Sequence, residues 1–555
     1  MRQAADRPTT PRAPVSEPAT RTGGEWVVAA LAAEGVRHVF GIPGVHNLAI
    51  YDALLRQDRI THVLARHEQG AGFMADGYAR ASGRPGVVVV TTGPGATNAL
   101  TPLVEAHAGS QPVLLLMSDV PSAVVGQDMG ALHEVPNQIE CFRPVSRWAD
   151  GLRSGAEIPG AVQGAFHLFR TGRPGPVALS IPTDLLTASV AARLTPAGEG
   201  RRPPCDVGLV EEAARYLGRA RRPLVVAGGG VIAAGATDEL QAIARRLRAP
   251  VITSVMGRGA ISETDPLWLG VLPNQRATKG ALEAADVILA VGCRFSHRST
   301  RGLLLNLEFR PDQALIQLDL DPRTIGRMHR PALGIVGDAR DGLAGLLEAL
   351  APGAAVAEWD WAALGRAREA RSPRYTPVVD GLLRALRAAL PVDGIVVGDQ
   401  TGLNYWMEWH LPILAPRTFL YPIGSATLGY GVPAAIGAKV ACPDRAVVAV
   451  VGDGGLLFTV QELATAVKYR LPVVFVVMND QDYGAIRYLQ TRLYGRTGEH
   501  TLTGPDVLAL ARAFGVEAYH APDADGLRAA LDKALAQQGP ALVEVPHAVE
   551  PPWEL

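Results

Sequence analysis

"VVGDGGLLFTVQELATAVKYRLPVVFVVMND", Val450 to Asp480, contains two apolar runs, one ending on Gly-Asp-Gly-Gly and the other on Asn-Asp. Between them "VQELATAVKYR" reads as a helix, so the stretch is a strand–helix–strand unit of a parallel sheet. Ligands of such sheets bind beyond the carboxyl ends of the strands. Asp453 and Asp480, 27 residues apart, both stand at such ends. Gly452, Gly454 and Gly455 let the backbone approach a ligand closely and turn N–H groups toward phosphate oxygens. Thr459 and Glu462 form a T-x-x-E capping box, which predicts a helix opening there with its N-terminus toward the same loop. Backbone donors, a helix dipole and two carboxylates suit a diphosphate with Mg²⁺, which takes one or two carboxylates beside phosphate oxygens. A Gly-rich turn is also ordinary punctuation in α/β chains, so the paired acids carry more of the argument than the glycines.

The same alternation of short apolar runs and helical patterns extends from Gly23 onward, and the class is α/β with doubly wound parallel sheets. "VVVVTT" (87–92), "VLLLMS" (113–118) and "VALSIP" (177–182) are too continuous for half-exposed strands and define a first domain, 23–190. After "TPAGEGRRPPCD" (195–206), runs such as "RPLVVAGGG" (222–230) and "ALIQLDLD" (314–321) define a second, 205–350. A further break (351–377) precedes "GIVVGD" (394–399), the opening stretch and "ALVEVP" (541–546), a third domain over 375–550. Residues 1–22, rich in Pro, Ala, Thr and Arg, are expected to be a disordered leader.

Composition restricts the partners. Of 555 residues 48% are hydrophobic, and 53 basic against 54 acidic residues leave a charge of −1, so no global field favours nucleic acid or an anionic membrane. Four scattered cysteines suggest neither a disulfide framework nor a zinc site, and no run of about 18 apolar residues suggests a membrane span. The expectation is a reduced, cytoplasmic enzyme acting on a small molecule.

Gly452-Asp453-Gly454 followed by Asn479-Asp480 resembles the cofactor motif of the thiamine diphosphate enzymes, with Asp480 standing where the family commonly has Asn. The resemblance implies thiamine diphosphate and Mg²⁺, with Asp453, Asp480 and the backbone carbonyl of Asp482 as metal ligands and Tyr483 and Gly484 continuing the loop. It also implies a glutamate in the first domain that protonates the aminopyrimidine ring. "RHEQGAGFMADGYAR" (66–80) offers Glu68 at a helix start, as in the acetolactate synthase and benzoylformate decarboxylase superfamily. "IGSATLGYGVPAAIGA" (423–438) resembles the segment that bends the cofactor, with Leu428 beneath the rings and the Ala426 carbonyl accepting from its amino group. "GDQTGLNYW" (398–406) resembles a diphosphate-touching loop, through Thr401 and Gly402. In this superfamily the cofactor bridges the first domain of one chain and the last of another, which implies a homodimer or homotetramer. The central "LVVAGGGV" is a Gly-rich turn where some relatives hold FAD; an empty site is expected here.

The shared reaction is decarboxylation of a 2-oxo acid, followed by aldehyde release or carboligation. His46 in "FGIPGVHNLAIYDAL" matches the active-site histidine of benzaldehyde lyase, and His133 in "GALHEVPNQIE" takes the place of a pocket glutamine. Imidazoles of near-neutral pKa suit the proton transfers that separate the two outcomes. Gly484-Ala485-Ile486 and Leu489 stand where acetolactate synthases have Gly-Met-Val and a tryptophan, and "FGIPGVHNL" with "LHE" resembles the 5-guanidino-2-oxopentanoate decarboxylase branch. An acetolactate synthase is the alternative within the class, and a non-catalytic cofactor-binding homologue the alternative outside it. A dehydrogenase is disfavoured because no clean G-x-G-x-x-G follows a first strand.

Overall fold

The computed structural model describes residues 19–553 apart from positions 196, 197, 199, 273, 301–306 and 352–356. Most of the expected leader therefore lies outside the described residues. Ala19–Thr22, within the span expected to be leader, is a strand antiparallel to Ser189–Ala192. Thr22 then caps the next helix: its hydroxyl accepts from the Glu25 N–H, and the Glu25 carboxylate accepts from the Thr22 N–H.

Three six-stranded parallel sheets, each flanked by helices, follow. Their middle strands are Val- and Leu-rich and fully buried, as in Gly86–Val90, Val287–Val291 and Val473–Met478, because helices cover both faces. The first sheet runs Thr61–Leu64, His38–Gly41, Gly86–Val90, Val113–Asp119, Val177–Pro182, Trp148–Gly151. The third runs Phe419–Leu420, Ile395–Gly398, Val447–Gly452, Val473–Met478, Ala541–Val545, Glu517–His520. Numbered by sequence within each sheet, both read 2-1-3-4-6-5, so the first and last domains repeat one topology. The central sheet, from Trp268–Val271 to Leu333–Val336, reads 3-2-1-4-5-6, the order of dinucleotide-binding folds.

A switch point, where the strand order reverses, opens a crevice in each sheet. In the first sheet it lies between the loops after Gly41 and Val90, in the third between the loops after Gly398 and Gly452. In the central sheet the corresponding turns close on each other: the Gly228 N–H donates to the Val291 carbonyl and the Gly230 N–H to the Gly292 carbonyl. A Cβ on Gly228 would lie 2.0 Å from the Gly292 oxygen, so backbone packing accounts for the glycine run. Beside it is a cavity of about 1030 Å³ with Arg173, Arg294 and Arg417 in its wall.

The first and third domains meet through the helices Glu68–Ser82 and Gly431–Ala441, which pack backbone to backbone. A Cβ on Gly77 would lie 2.1 Å from the Ala434 carbonyl oxygen, and one on Gly437 would lie 1.9 Å from that of Met74. Beside this contact Arg80 donates to Asp76 (2.5 Å) and Glu105 (2.9 Å), the Tyr430 hydroxyl donates to Asp76 (2.8 Å), and Glu105 accepts from the Ser425 N–H (2.7 Å). In this buried knot one guanidinium holds both carboxylates, and removing one partner of such a set costs about 3–5 kcal/mol.

Gly437→Ala should lower the chemical-denaturation stability by about 3 kcal/mol, the cost of forcing a methyl into a filled contact. Gly280→Ala, on an exposed helix face with nothing within 4 Å of the new methyl, should instead raise it by about 0.8 kcal/mol.

Candidate functional site

The third sheet's switch point gathers one cluster. The helix after Val447–Gly452 begins at Asp453 itself, with Gly452 in extended backbone as its N-cap. The expected capping box is not formed. Thr459 instead donates its hydroxyl to the Gly429 carbonyl (2.9 Å), and the Glu462 carboxylate accepts from the Arg66 and His67 N–H groups (both 3.0 Å) and the Thr465 hydroxyl (2.7 Å). Tertiary partners thus outbid the local pair, and the dipole of the Asp453–Thr459 turn points at the loop directly.

Asp453 is 5% exposed and its Oδ2 has no hydrogen-bond partner. Burial raises its pKa, and burial together with the charges of Asp453 and Asp482 pushes the Asp480 carboxyl up to about 6. An orphaned buried carboxylate oxygen beside a second crowded acid is the donor set a divalent cation satisfies. The Asp482 carboxylate is taken by Arg487 (2.7 Å) and His500 (2.6 Å), which leaves its backbone carbonyl. Among the described residues no three His, Cys, Asp or Glu side chains gather as a metal cluster. The Tyr483 N–H donates to the His500 carbonyl (2.9 Å), the Tyr483 ring lies against Gly454, and Gly484 lies against Asp480 Oδ2.

Other expected contacts surround this loop. Thr401 lies against Gly452, whereas the lack of a side chain at Gly402 is required by the Val549 carbonyl, 1.8 Å from where a Cβ would be. Ala426 holds φ +52, sparsely populated for a residue with a side chain, and precedes half-buried Leu428. Asp399, which sequence reasoning passed over, is fully buried beneath Gly455 and accepts from the Gln400 (2.7 Å) and Gly431 (2.9 Å) N–H groups. Burial pushes it up to about 6. Its place directly after the strand Ile395–Gly398 was the available signal.

The first sheet's switch point gathers a second cluster. Glu68 opens its helix and accepts from the Asn98 side-chain amide (3.0 Å). Gly95 lies against Glu68, and Gly44 against Thr91, whose buried hydroxyl has no partner. The His46 and His133 rings face each other at 5.3 Å between centroids. The Nδ1 of each is buried without a partner, and His133 is held at φ +65 with its carbonyl against Gly93. Burial, then His133, hold His46 below the ordinary imidazole pKa.

Models of known families match along the whole architecture. "Thiamine pyrophosphate enzyme, N-terminal TPP binding domain" matches residues 21–141, the central domain 210–346, and the C-terminal TPP binding domain 399–545. The chain belongs to the thiamine pyrophosphate enzyme family. Among its relatives, a probable 2-ketoarginine decarboxylase of Pseudomonas aeruginosa is 39% identical over 96% of both chains. A probable acetolactate synthase large subunit of Methanocaldococcus jannaschii is 36% identical over 94% of this chain and 91% of its own. The isozyme 2 large subunit of Escherichia coli acetolactate synthase is 35% identical, over 94% and 95%. In this thiamine pyrophosphate enzyme no described helix is long and apolar enough to cross a membrane.

Asp480 holds its proton to about pH 6 in the folded chain against an ordinary 3.8, so metal-free stability falls as pH rises through that interval. Asp480→Asn should raise the Tm of the cofactor-free protein at pH 8 and leave it unchanged near pH 4, by scanning calorimetry.

Proposed function

We propose that this thiamine pyrophosphate enzyme is a Mg²⁺-dependent 2-oxo acid decarboxylase that releases an aldehyde or passes the decarboxylated fragment to a second carbonyl. The observation that carries the reading is the His46–His133 pair, two unpartnered imidazoles beside the turn that touches Glu68. Bound thiamine diphosphate supplies the electron sink for loss of CO₂. Asp453, Asp480 and the Asp482 carbonyl hold the Mg²⁺. The N–H groups of the Gly452–Gly455 turn and Thr401 bind the diphosphate, Leu428 supports the rings, and the Ala426 carbonyl orients the amino group. Glu68 holds the proton on the aminopyrimidine ring, and His46 and His133 deliver or withdraw the proton that decides between release and ligation.

The working unit in this reading is a homodimer, in which Glu68 of one chain meets the Asp453 loop of the other. Exposed apolar side chains stand close in sequence to residues of both clusters, Val45 and Leu48 beside His46, Met129 and Leu132 ahead of His133, Leu457 and Phe458 after Asp453, and Ile486 after Gly484. The P. aeruginosa relative, a probable 2-ketoarginine decarboxylase, supports bulky or cationic 2-oxo acids as substrates. The synthase relatives support a second reading, acetolactate formation from pyruvate, which a colorimetric acetolactate assay decides.

CO₂ release should be detected across a panel of 2-oxo acids of differing size and charge. Glu68→Gln should lower it at least 100-fold with an unchanged Tm, within the range general acid–base groups contribute; full activity in that variant would overturn the mechanism. His46→Ala should lower aldehyde formation by a factor of about 100, measured by product chromatography.

A further inference from the structure

The segment that carries Ala426 and Leu428 runs between the strand Phe419–Leu420 and the helix Gly431–Ala441 and belongs to neither. Side chains from other elements hold it. At its far end the Gly431 N–H donates to Asp399 (2.9 Å), and the Gly429 carbonyl accepts from the Thr459 hydroxyl (2.9 Å). At its near end the anchor comes from the first domain of the same chain. Glu105, fully buried on the helix Leu100–Gly109, accepts at Oε2 from both the N–H (2.7 Å) and the hydroxyl (2.8 Å) of Ser425, and at Oε1 from the Gly424 N–H (3.4 Å). A Cβ on Gly424 would lie 2.2 Å from that of Ala108, so helix and segment touch with no slack between them.

Pairing with Arg80 does not account for this arrangement. The guanidinium donates to Glu105 Oε1 (2.9 Å) and to the Tyr421 carbonyl (3.2 Å), but Asp76 already serves it as a counter-ion (2.5 Å). Glu105 is a second buried carboxylate on one cation, and its Oε2 goes to Ser425. Burial of a further carboxylate is unfavourable unless hydrogen bonds satisfy it, and the partner that does so is the residue directly before Ala426. Ala426 holds φ +52, a backbone state that a residue with a Cβ keeps only where its surroundings impose it and that glycine enters freely. With Ser425 held on one side and Gly429 on the other, the three residues between them have little freedom to relax.

We propose that Glu105 is a positioning residue for the cofactor site: by holding Ser425 it keeps Ala426 in the left-handed conformation from which the Ala426 carbonyl orients the cofactor's amino group. This rests on the reading of that carbonyl as the acceptor. Glu105 acts through Ser425 and not by contact with the reacting groups. Its effect falls on the chemical step and not on cofactor affinity, which the diphosphate and Mg²⁺ contacts carry.

The test is a double-mutant cycle between Glu105→Gln and Ala426→Gly in the full-length protein. Without cofactor, Ala426→Gly should raise the Tm of the parent by about 1–2 °C, because it relieves a held conformation. It should not raise the Tm of Glu105→Gln, in which Ala426 has already relaxed. With thiamine diphosphate, Mg²⁺ and a 2-oxo acid that the parent decarboxylates, Glu105→Gln should lower kcat about 10-fold or more. KM and the half-saturating cofactor concentration should stay within a factor of about 3, and adding Ala426→Gly should recover most of the lost kcat. A role confined to stabilising the knot would not respond to a change at residue 426. Should Glu105→Gln not fold, Ser425→Ala loosens the same grip with the Arg80 pair in place, and the cycle is run on that variant. A Tm effect of Ala426→Gly that is the same in both backgrounds overturns the proposal, as does a kcat loss that Ala426→Gly does not recover. A Tm effect that differs between backgrounds, beside an unchanged kcat in Glu105→Gln, overturns the reading of the Ala426 carbonyl as acceptor and leaves the hold of Glu105 on the segment standing.

Discussion

The backbone-to-backbone contact of the helices Glu68–Ser82 and Gly431–Ala441 is the constraint on which the rest depends. Carbonyl oxygens of one helix occupy the space where Cβ atoms of the other would stand, so the two elements have one relative position. That position lets Glu462 of the last domain reach the N–H groups of Arg66 and His67, directly ahead of Glu68. It also closes the Asp76–Arg80–Glu105 knot against Tyr430 and Ser425. The same contact thus fixes the first turn that presents Glu68 and, through the segment from Ser425 to Gly431, the approach to the Asp453 loop.

Three sheets, three switch points and two different outcomes follow from how closely the paired turns approach. In the central domain Gly228 and Gly230 close on Gly292. In the outer domains the paired turns touch through side chains, Thr401 against Gly452 in one and Thr91 against Gly44 in the other, with Asp399 and Asp453 beside the first pair and His46 beside the second. Both crevices also hold buried polar atoms without partners, among them Asp453 Oδ2, Thr91 Oγ1 and His46 Nδ1. Each such atom costs about 1–3 kcal/mol in an ordinary core, a cost that a ligand's own donors and acceptors would offset at these two crevices.

The long central strands were legible because β-branched runs covered on both faces need no partner to be recognised. Strands that escaped were short and mostly at sheet edges, such as Trp148–Gly151, Phe419–Leu420 and Glu517–His520, where one side faces solvent and the apolar signal is diluted. The Thr459–Glu462 box was a correct local pattern defeated by distant partners. The Val549 carbonyl requires glycine at 402 whatever the loop binds. Asp399 had the right position, directly after a buried strand and within the quoted "GDQTGLNYW" loop, where Thr401 and Gly402 drew the reading instead.

The sequence by itself determined the α/β class, the three domains and the family, because apolar periodicity and the Gly452–Gly454 and Asn479–Asp480 pair are local properties of the chain. Tertiary structure alone decided that the first and last domains share one strand order, that Glu462 reaches the N–H groups of Arg66 and His67 and closes no capping box with Thr459, and that the His46 and His133 rings meet. Those relations join residues dozens to hundreds of positions apart. Their energies depend on burial and on distances of a few ångströms, which exist only once the helices have packed.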